Sequence, residues 1–155
     1  MNRWSGFSPI KKCGKPGLCL HPARHERSFT MSTQNLQQRL HDLLNYIHQG
    51  KIIEAMNEFY DKDTVMQDNA NTPTKGLAAN IEREKQFLSG VKEWKGFEVK
   101  ASGTGDNVTF YECTLDFIAT SGQPVHMEQV SVAKWKNGKI VHERFYYDTG
   151  AKRGT

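Results

Sequence analysis

Three carboxylates in this chain stand where acid–base chemistry could use them: Asp68, Glu128 and Glu143. Asp68 closes the short run Thr64-Val65-Met66-Gln67-Asp68, in which Met66 and Asp68 share one face of a strand. Glu128 and Glu143 lie on two alternating runs joined by Asn137-Gly138. A carboxyl group set against apolar side chains loses hydration, so its pKa rises and it can exchange protons near neutral pH. The competing reading of Asp68 is a turn former in the Asp68-Asn69 loop. For the glutamates it is ordinary hydrogen bonding in a pocket wall or at its wet rim.

The element that positions the two glutamates can be counted. Asn-Gly between alternating runs signals a hairpin with a type I′ turn, which needs positive φ at both central residues. Lys136 then faces Lys139, and each later pair of facing numbers sums to 275. One face carries Val141, Glu143, Phe145 and Tyr147 against Lys134, Val132, Val130 and Glu128. Its apolar block predicts that this is the concave, helix-covered face, with Glu128 opposite Tyr147; a β-bulge would reverse the assignment beyond it. The other face, with Met127, Trp135, Ile140 and Tyr146, becomes an outer surface apolar enough for a two-fold interface. On this register Glu128 and Glu143 sit about 13 Å apart, so each acts alone or with a local partner. His126 and His142 sit about 23 Å apart, too far to share a metal ion.

Upstream, Leu36, Leu40, Leu43, Leu44 and Ile47 form the stripe of an amphipathic helix over residues 32–49, closed by Gly50. A second helix is predicted from Ile52 to about Tyr60, followed by the strand ending at Asp68 and a loop from Asn69 to Gly76. A third helix starts near Leu77, with Leu77, Ile81, Leu88, Val91 and Trp94 in one stripe, unless Gly90 ends it early. After Gly96 the period becomes two, giving strands over 97–102, 108–120 and 125–136 and the last strand after the hairpin. Helices first and consecutive strands second describe an α+β domain with three N-terminal helices packed on a curved, mostly antiparallel sheet.

The 155 residues hold one domain. The formal charge of +4 misleads, because residues 1–30 carry six basic side chains against Glu26 alone, leaving 15 basic against 16 acidic in the rest. A basic nucleic-acid surface on the domain is therefore not expected. Residues 1–31 read as a disordered basic extension, either an upstream addition before Met31 or an organelle leader; 32–150 read as the domain and 151–155 as a tail. Cys13, Cys19 and Cys113 make no disulfide framework, which favours a reducing, cytoplasmic setting, or an organelle if the leader is genuine. The spacing Cys13-x5-Cys19-x-His21 matches no standard zinc finger. No apolar run is long enough to span a membrane, and no phosphate loop or nucleophile elbow is present, so no cofactor is expected.

The wording Phe59-Tyr60-Asp61-Lys62-Asp63-Thr64-Val65-Met66-Gln67-Asp68-Asn69, Gly76 opening a helix, Asn137-Gly138-Lys139-Ile140 and Arg144-Phe145-Tyr146-Tyr147-Asp148 resembles the SnoaL-like branch of the nuclear transport factor 2-like superfamily. That resemblance spans residues 34–149 and implies a cone-shaped α+β half-barrel enclosing a pocket. It implies chemistry of the polyketide cyclase or ketosteroid isomerase kind, with Asp68 at the isomerase base position. A tyrosine–acid pair built from Tyr60 or Tyr111 with Glu128 could serve as an oxyanion partner. Phe145 stands where limonene epoxide hydrolase has a catalytic aspartate, which disfavours that hydrolysis. The aromatic supply of Tyr60, Trp94, Tyr111, Phe117, Phe145 and Tyr147, with Met66, suits a small flat apolar ligand. The expectation is a homodimeric pocket protein, either an isomerase or cyclase or a noncatalytic binding or dimerisation domain.

Overall fold

The computed structural model describes residues 33–148; the expected extension, the C-terminal tail and Cys13, Cys19 and His21 lie outside them. Helix α1 (Thr33–His48) turns Leu36, Leu40 and Leu43 inward, each at most 3% exposed. Helix α2 (Ile52–Phe59) buries Ala55, Met56 and Phe59. Strand β1 (Tyr60–Asp68) follows without a loop, because Tyr60 is already extended at φ −102°, ψ 146°. The strand thus starts four residues before the expected Thr64. The residues Asp61, Lys62 and Asp63 interrupt the ladder: Tyr60 faces Ile140 while Val65 faces His142, so the intervening chain bulges outward with its charges.

The predicted loop from Asn69 to Gly76 holds a two-residue strand, β2 (Thr74–Lys75), antiparallel to β1. Gly76, at φ 86°, then opens helix α3 (Leu77–Ser89) from a backbone region that only glycine adopts without strain. Gly90 does end the helix, so Val91 and Trp94 belong to strand β3 (Val91–Gly105) and not to the helical stripe. Strands β4 (Val108–Ala119), β5 (Pro124–Lys136) and β6 (Lys139–Tyr147) complete a six-stranded sheet in the order β2-β1-β6-β5-β4-β3. The β1–β6 pairing is parallel and every other pairing antiparallel. The three helices cover one face of this bent sheet, which is the expected cone.

The hairpin turn forms as predicted, with Asn137 at φ 51° and Gly138 at φ 77°. Lys136 faces Lys139 and Trp135 faces Ile140, but Lys134 faces His142 and the ladder continues in that shifted register to Gln129 opposite Tyr147. One extra residue on β6 therefore changes which partners share a face. Glu143, Phe145 and Tyr147 point into the cone as predicted, opposite Ala133, Ser131 and Gln129. Glu128, Val130, Val132 and Lys134 point away from the helices, and Trp135, Ile140 and Met127 move from the expected outer surface to the inside.

Packing explains why the bulge is kept. Trp135 is 4% exposed, lies in one core cluster with Ile140, Leu36, Met56 and Phe59, and donates its indole N–H to Thr109 Oγ1 at 2.9 Å. That bond satisfies the donor of a buried tryptophan. A second cluster joins Leu40 to Phe97, Tyr111, Cys113 and Leu115, so α1 bridges both halves of the cone. Among the described residues, no helix is long and apolar enough to cross a membrane.

Candidate functional site

Between the helices and the concave sheet lies a cavity of about 220 Å³. Its walls are largely apolar: Ile47, Ile52, Met56 and Phe87 from the helices, and Met66, Phe97, Leu115, Met127 and Phe145 from the sheet. Polar groups enter at a few points, namely Asp68 from the end of β1, Arg83 and Glu84 from α3, Gln129 from β5, and the rings of Tyr60, Tyr111 and Tyr147. Apolar walls with few convergent polar groups are the pattern of a small-molecule site.

Asp68 enters the turn through its backbone, whose carbonyl accepts the Asn71 N–H at 2.9 Å, and not through its side chain. Asn69 takes positive φ (48°), donates its backbone N–H to Phe145 O at 2.7 Å, and pairs its side-chain amide with the N–H and C=O of Tyr147, both at 3.0 Å. With Asn69 fastening the strand end, the Asp68 carboxylate is free to face the cavity. There Arg83 Nη1 donates to its Oδ2 at 2.8 Å. Both side chains are about 70% buried, with exposures of 28% for Asp68 and 29% for Arg83, which screens the pair less than an open surface would.

Glu143 occupies a different position from the one its inward direction suggested. Its side chain is fully buried behind the lining, where Oε2 accepts the Tyr60 hydroxyl and Oε1 accepts the Ser131 hydroxyl at 2.5 Å. Burial pushes the carboxyl above its ordinary range, and the two hydroxyl donors pull it partly back. Burial and the nearby Glu143 charge likewise raise the phenols of Tyr60 and Tyr111 well above 10. The tyrosine–acid pair that forms is Tyr60 with Glu143, not a tyrosine with Glu128, and its acid lies behind the cavity lining. The Glu128 side chain is 78% exposed on the outer face and lies 3.8 Å from His126, so the inward assignment of Glu128 is corrected.

Of the expected lining, Tyr60, Met66, Tyr111, Phe145 and Tyr147 border the cavity. Trp94 and Phe117 do not: they stack on each other at 6.2 Å, and Phe117 meets the lining residue Phe87 edge-on at 5.6 Å, so they back the wall. The buried Cys113 thiol is pushed up to about 11 by desolvation and offers no thiolate at neutral pH. His126 bonds Asp116 at 2.6 Å on the exposed side of the sheet.

Sequence reasoning missed Arg83, Glu84 and Gln129. A signal for Glu84 was present, since it falls in the stripe Leu77-Ile81-Glu84-Leu88, where a charge interrupts an apolar face. Desolvation raises the Glu84 carboxyl, Arg83 opposes the rise and Asp68 adds to it. Arg83 had no such signal, because its partner lies across the β2 loop.

The family model for the SnoaL-like domain matches residues 31–147. No curated protein matches the chain. Among solved structures, a Mesorhizobium loti protein described as a SnoaL-like polyketide cyclase superposes with a TM-score of 0.63 at 22% identity, covering 72% of this chain and 98% of that one. A nuclear-transport-factor-2-like protein from Burkholderia pseudomallei gives 0.66 at 14% identity, over 75% and 92% of the two chains. An epoxide hydrolase of the limonene type from M. tuberculosis gives 0.62 at 17%, over 77% and 87%. At these identities the structures share the fold with this chain, and nothing finer.

Proposed function

Because this chain belongs to the SnoaL-like domain family, we propose that its cone binds a small apolar carbonyl compound and that Asp68 moves a proton on it. The observation that carries this reading is the convergence of one arginine-held carboxylate, Asp68, with apolar walls on a single cavity. Arg83 occupies Oδ2, so Oδ1 is the oxygen left to meet a substrate. In the proposed step Oδ1 takes a proton from the carbon next to the carbonyl, and the electron pair passes into the carbonyl oxygen. Where the compound has a β,γ double bond, the carboxylic acid then returns the proton to the γ-carbon as the electron pair moves back from the oxygen and the carbonyl re-forms, which shifts the double bond into conjugation without a cofactor. Glu143 contributes from behind by fixing the Tyr60 ring, and so acts as a positioning residue.

Native mass spectrometry of the purified protein would first reveal any copurified ligand. Deuterium uptake next to the carbonyl of bound apolar ketones, followed by NMR, then tests the chemistry. Asp68→Asn should abolish uptake while leaving binding within a few fold; unchanged uptake would remove Asp68 from the reaction. Binding without uptake in the parent protein favours the noncatalytic reading.

The outer sheet face supports pairing of two copies. Phe110, Val130 and Tyr146 are 46%, 36% and 43% exposed on adjacent strands, with Val130 directly opposite Tyr146. The apolar block that the hairpin register assigned to the cone interior in fact contributes Val130 and Val132 to this surface.

A further inference from the structure

Resting on the reading of the cavity as a ligand site, we propose that its occupant carries, on an otherwise apolar body, a protonated amine received by the Glu84 carboxylate. Among the described residues the cavity lining holds one cation, Arg83, and two carboxylates, Asp68 and Glu84. The cation is already committed to Asp68 at 2.8 Å. Glu84 is half-buried, and no protein donor bonds its carboxylate. Behind the wall Glu143 adds a third carboxyl group whose charge bears on Glu84. Three acids thus share one guanidinium, which is hydrogen-bonded to Asp68, and Glu84 on the cavity wall has its charge interaction but no hydrogen bond.

A partly desolvated carboxylate without a hydrogen-bond donor is costly, and a ligand ammonium would offset that cost by charge and by hydrogen bonding together. A neutral hydroxyl would supply only the hydrogen bond. A carboxylate or phosphate would find no spare cation and would face like charge at Glu84 and Asp68. The rings of Phe87, Phe145 and Tyr147 line the same wall, and a ring that turns its π face to the ligand would favour a cation further.

Three probes of one shape, benzylamine, benzyl alcohol and benzoate, separate these cases on the full chain. Binding is read by NMR from the methyl groups of Met56, Met66 and Met127, which line the cavity. Residues 31–155, which contain the cavity, carry 15 basic against 16 acidic side chains, so general attraction would separate the three probes little. Benzylamine should bind at least tenfold more tightly than benzyl alcohol, and benzoate more weakly than either. Glu84→Gln, which keeps an acceptor oxygen but removes the charge, should bring benzylamine down to the level of benzyl alcohol and change the alcohol by no more than a few fold. Equal binding of amine and alcohol, tightest binding of benzoate, or an amine preference that survives Glu84→Gln would overturn the proposal. If benzyl alcohol shifts the cavity methyls and benzylamine does no better, the amine fails and the ligand-site reading stands. If no probe shifts them, both fail.

Discussion

The Tyr60 hydroxyl donates to Glu143 Oε2 across 83 residues of sequence, at a point where Tyr60 is 7% exposed and Glu143 is sealed from solvent. Ser131 closes the other carboxylate oxygen. The first residue of β1, the middle of β5 and the middle of β6 are thereby tied together at the back of the cavity. A buried acid is tolerated here because both oxygens are satisfied.

Removing that acceptor should therefore cost stability. Glu143→Ala strands two buried hydroxyl donors and opens a void, an expected loss of about 2–4 kcal/mol. Glu143→Gln keeps the volume and one acceptor, and should lose about 1–2 kcal/mol. Urea unfolding of both variants checks the order; an alanine variant as stable as the parent would contradict the network.

The pH dependence follows from the direction of the shifts. Glu143 and Glu84 both lie above the ordinary 4.5 in the folded protein. In the window above 4.5 the folded state holds more protons than the unfolded chain, so these groups favour folding at low pH and lose that contribution as pH rises through their folded values. Glu84→Gln should accordingly raise stability at neutral pH, by about 0.5–1 kcal/mol, and flatten the decline. Thermal unfolding from pH 4 to 8 on parent and variant measures the difference, and a steeper decline in the variant would reverse the assigned sign.

Asn69 should be a sensitive position outside the core. Alanine there loses two hydrogen bonds to the Tyr147 backbone and must still adopt φ 48°. The expected cost is about 2 kcal/mol. Glycine recovers the backbone freedom but not the bonds, so Asn69→Gly should cost about 1 kcal/mol. Denaturant midpoints that rank glycine below alanine would show that the strain argument is wrong.

The outer face makes a prediction about mass in solution. Tyr146→Lys places a charge beside Val130 without touching the interior and should convert a dimer to a monomer in light scattering, with the melting temperature of the isolated fold retained. A parent protein that is monomeric at high concentration would remove the pairing proposal.

Local pattern carried most of the element order. The steps among Leu36, Leu40 and Leu43 set α1, and the positive φ demanded by Asn137-Gly138 set the last hairpin. These features depend only on neighbours in the chain, so a reader of the sequence can find them. The direction of Glu128 was not available in this way. Alternation fixes which residues of one strand share a face, but a single extra residue on β6 between Ile140 and Glu143 changes which residues of β5 join them.

The candidate site divides along the same line. Sequence alone placed Asp68 at the end of a half-apolar strand and supplied the aromatic rings. Tertiary structure decided the rest. It set Arg83 against Asp68 by laying α3 over β1, turned Glu84 into the cavity, and sent Glu143 behind Tyr60. Each of these joins residues on separate elements, so it depends on how helices seat on a bent sheet. Hydrophobic periodicity records which side of an element is buried, and it carries no record of what that side will meet.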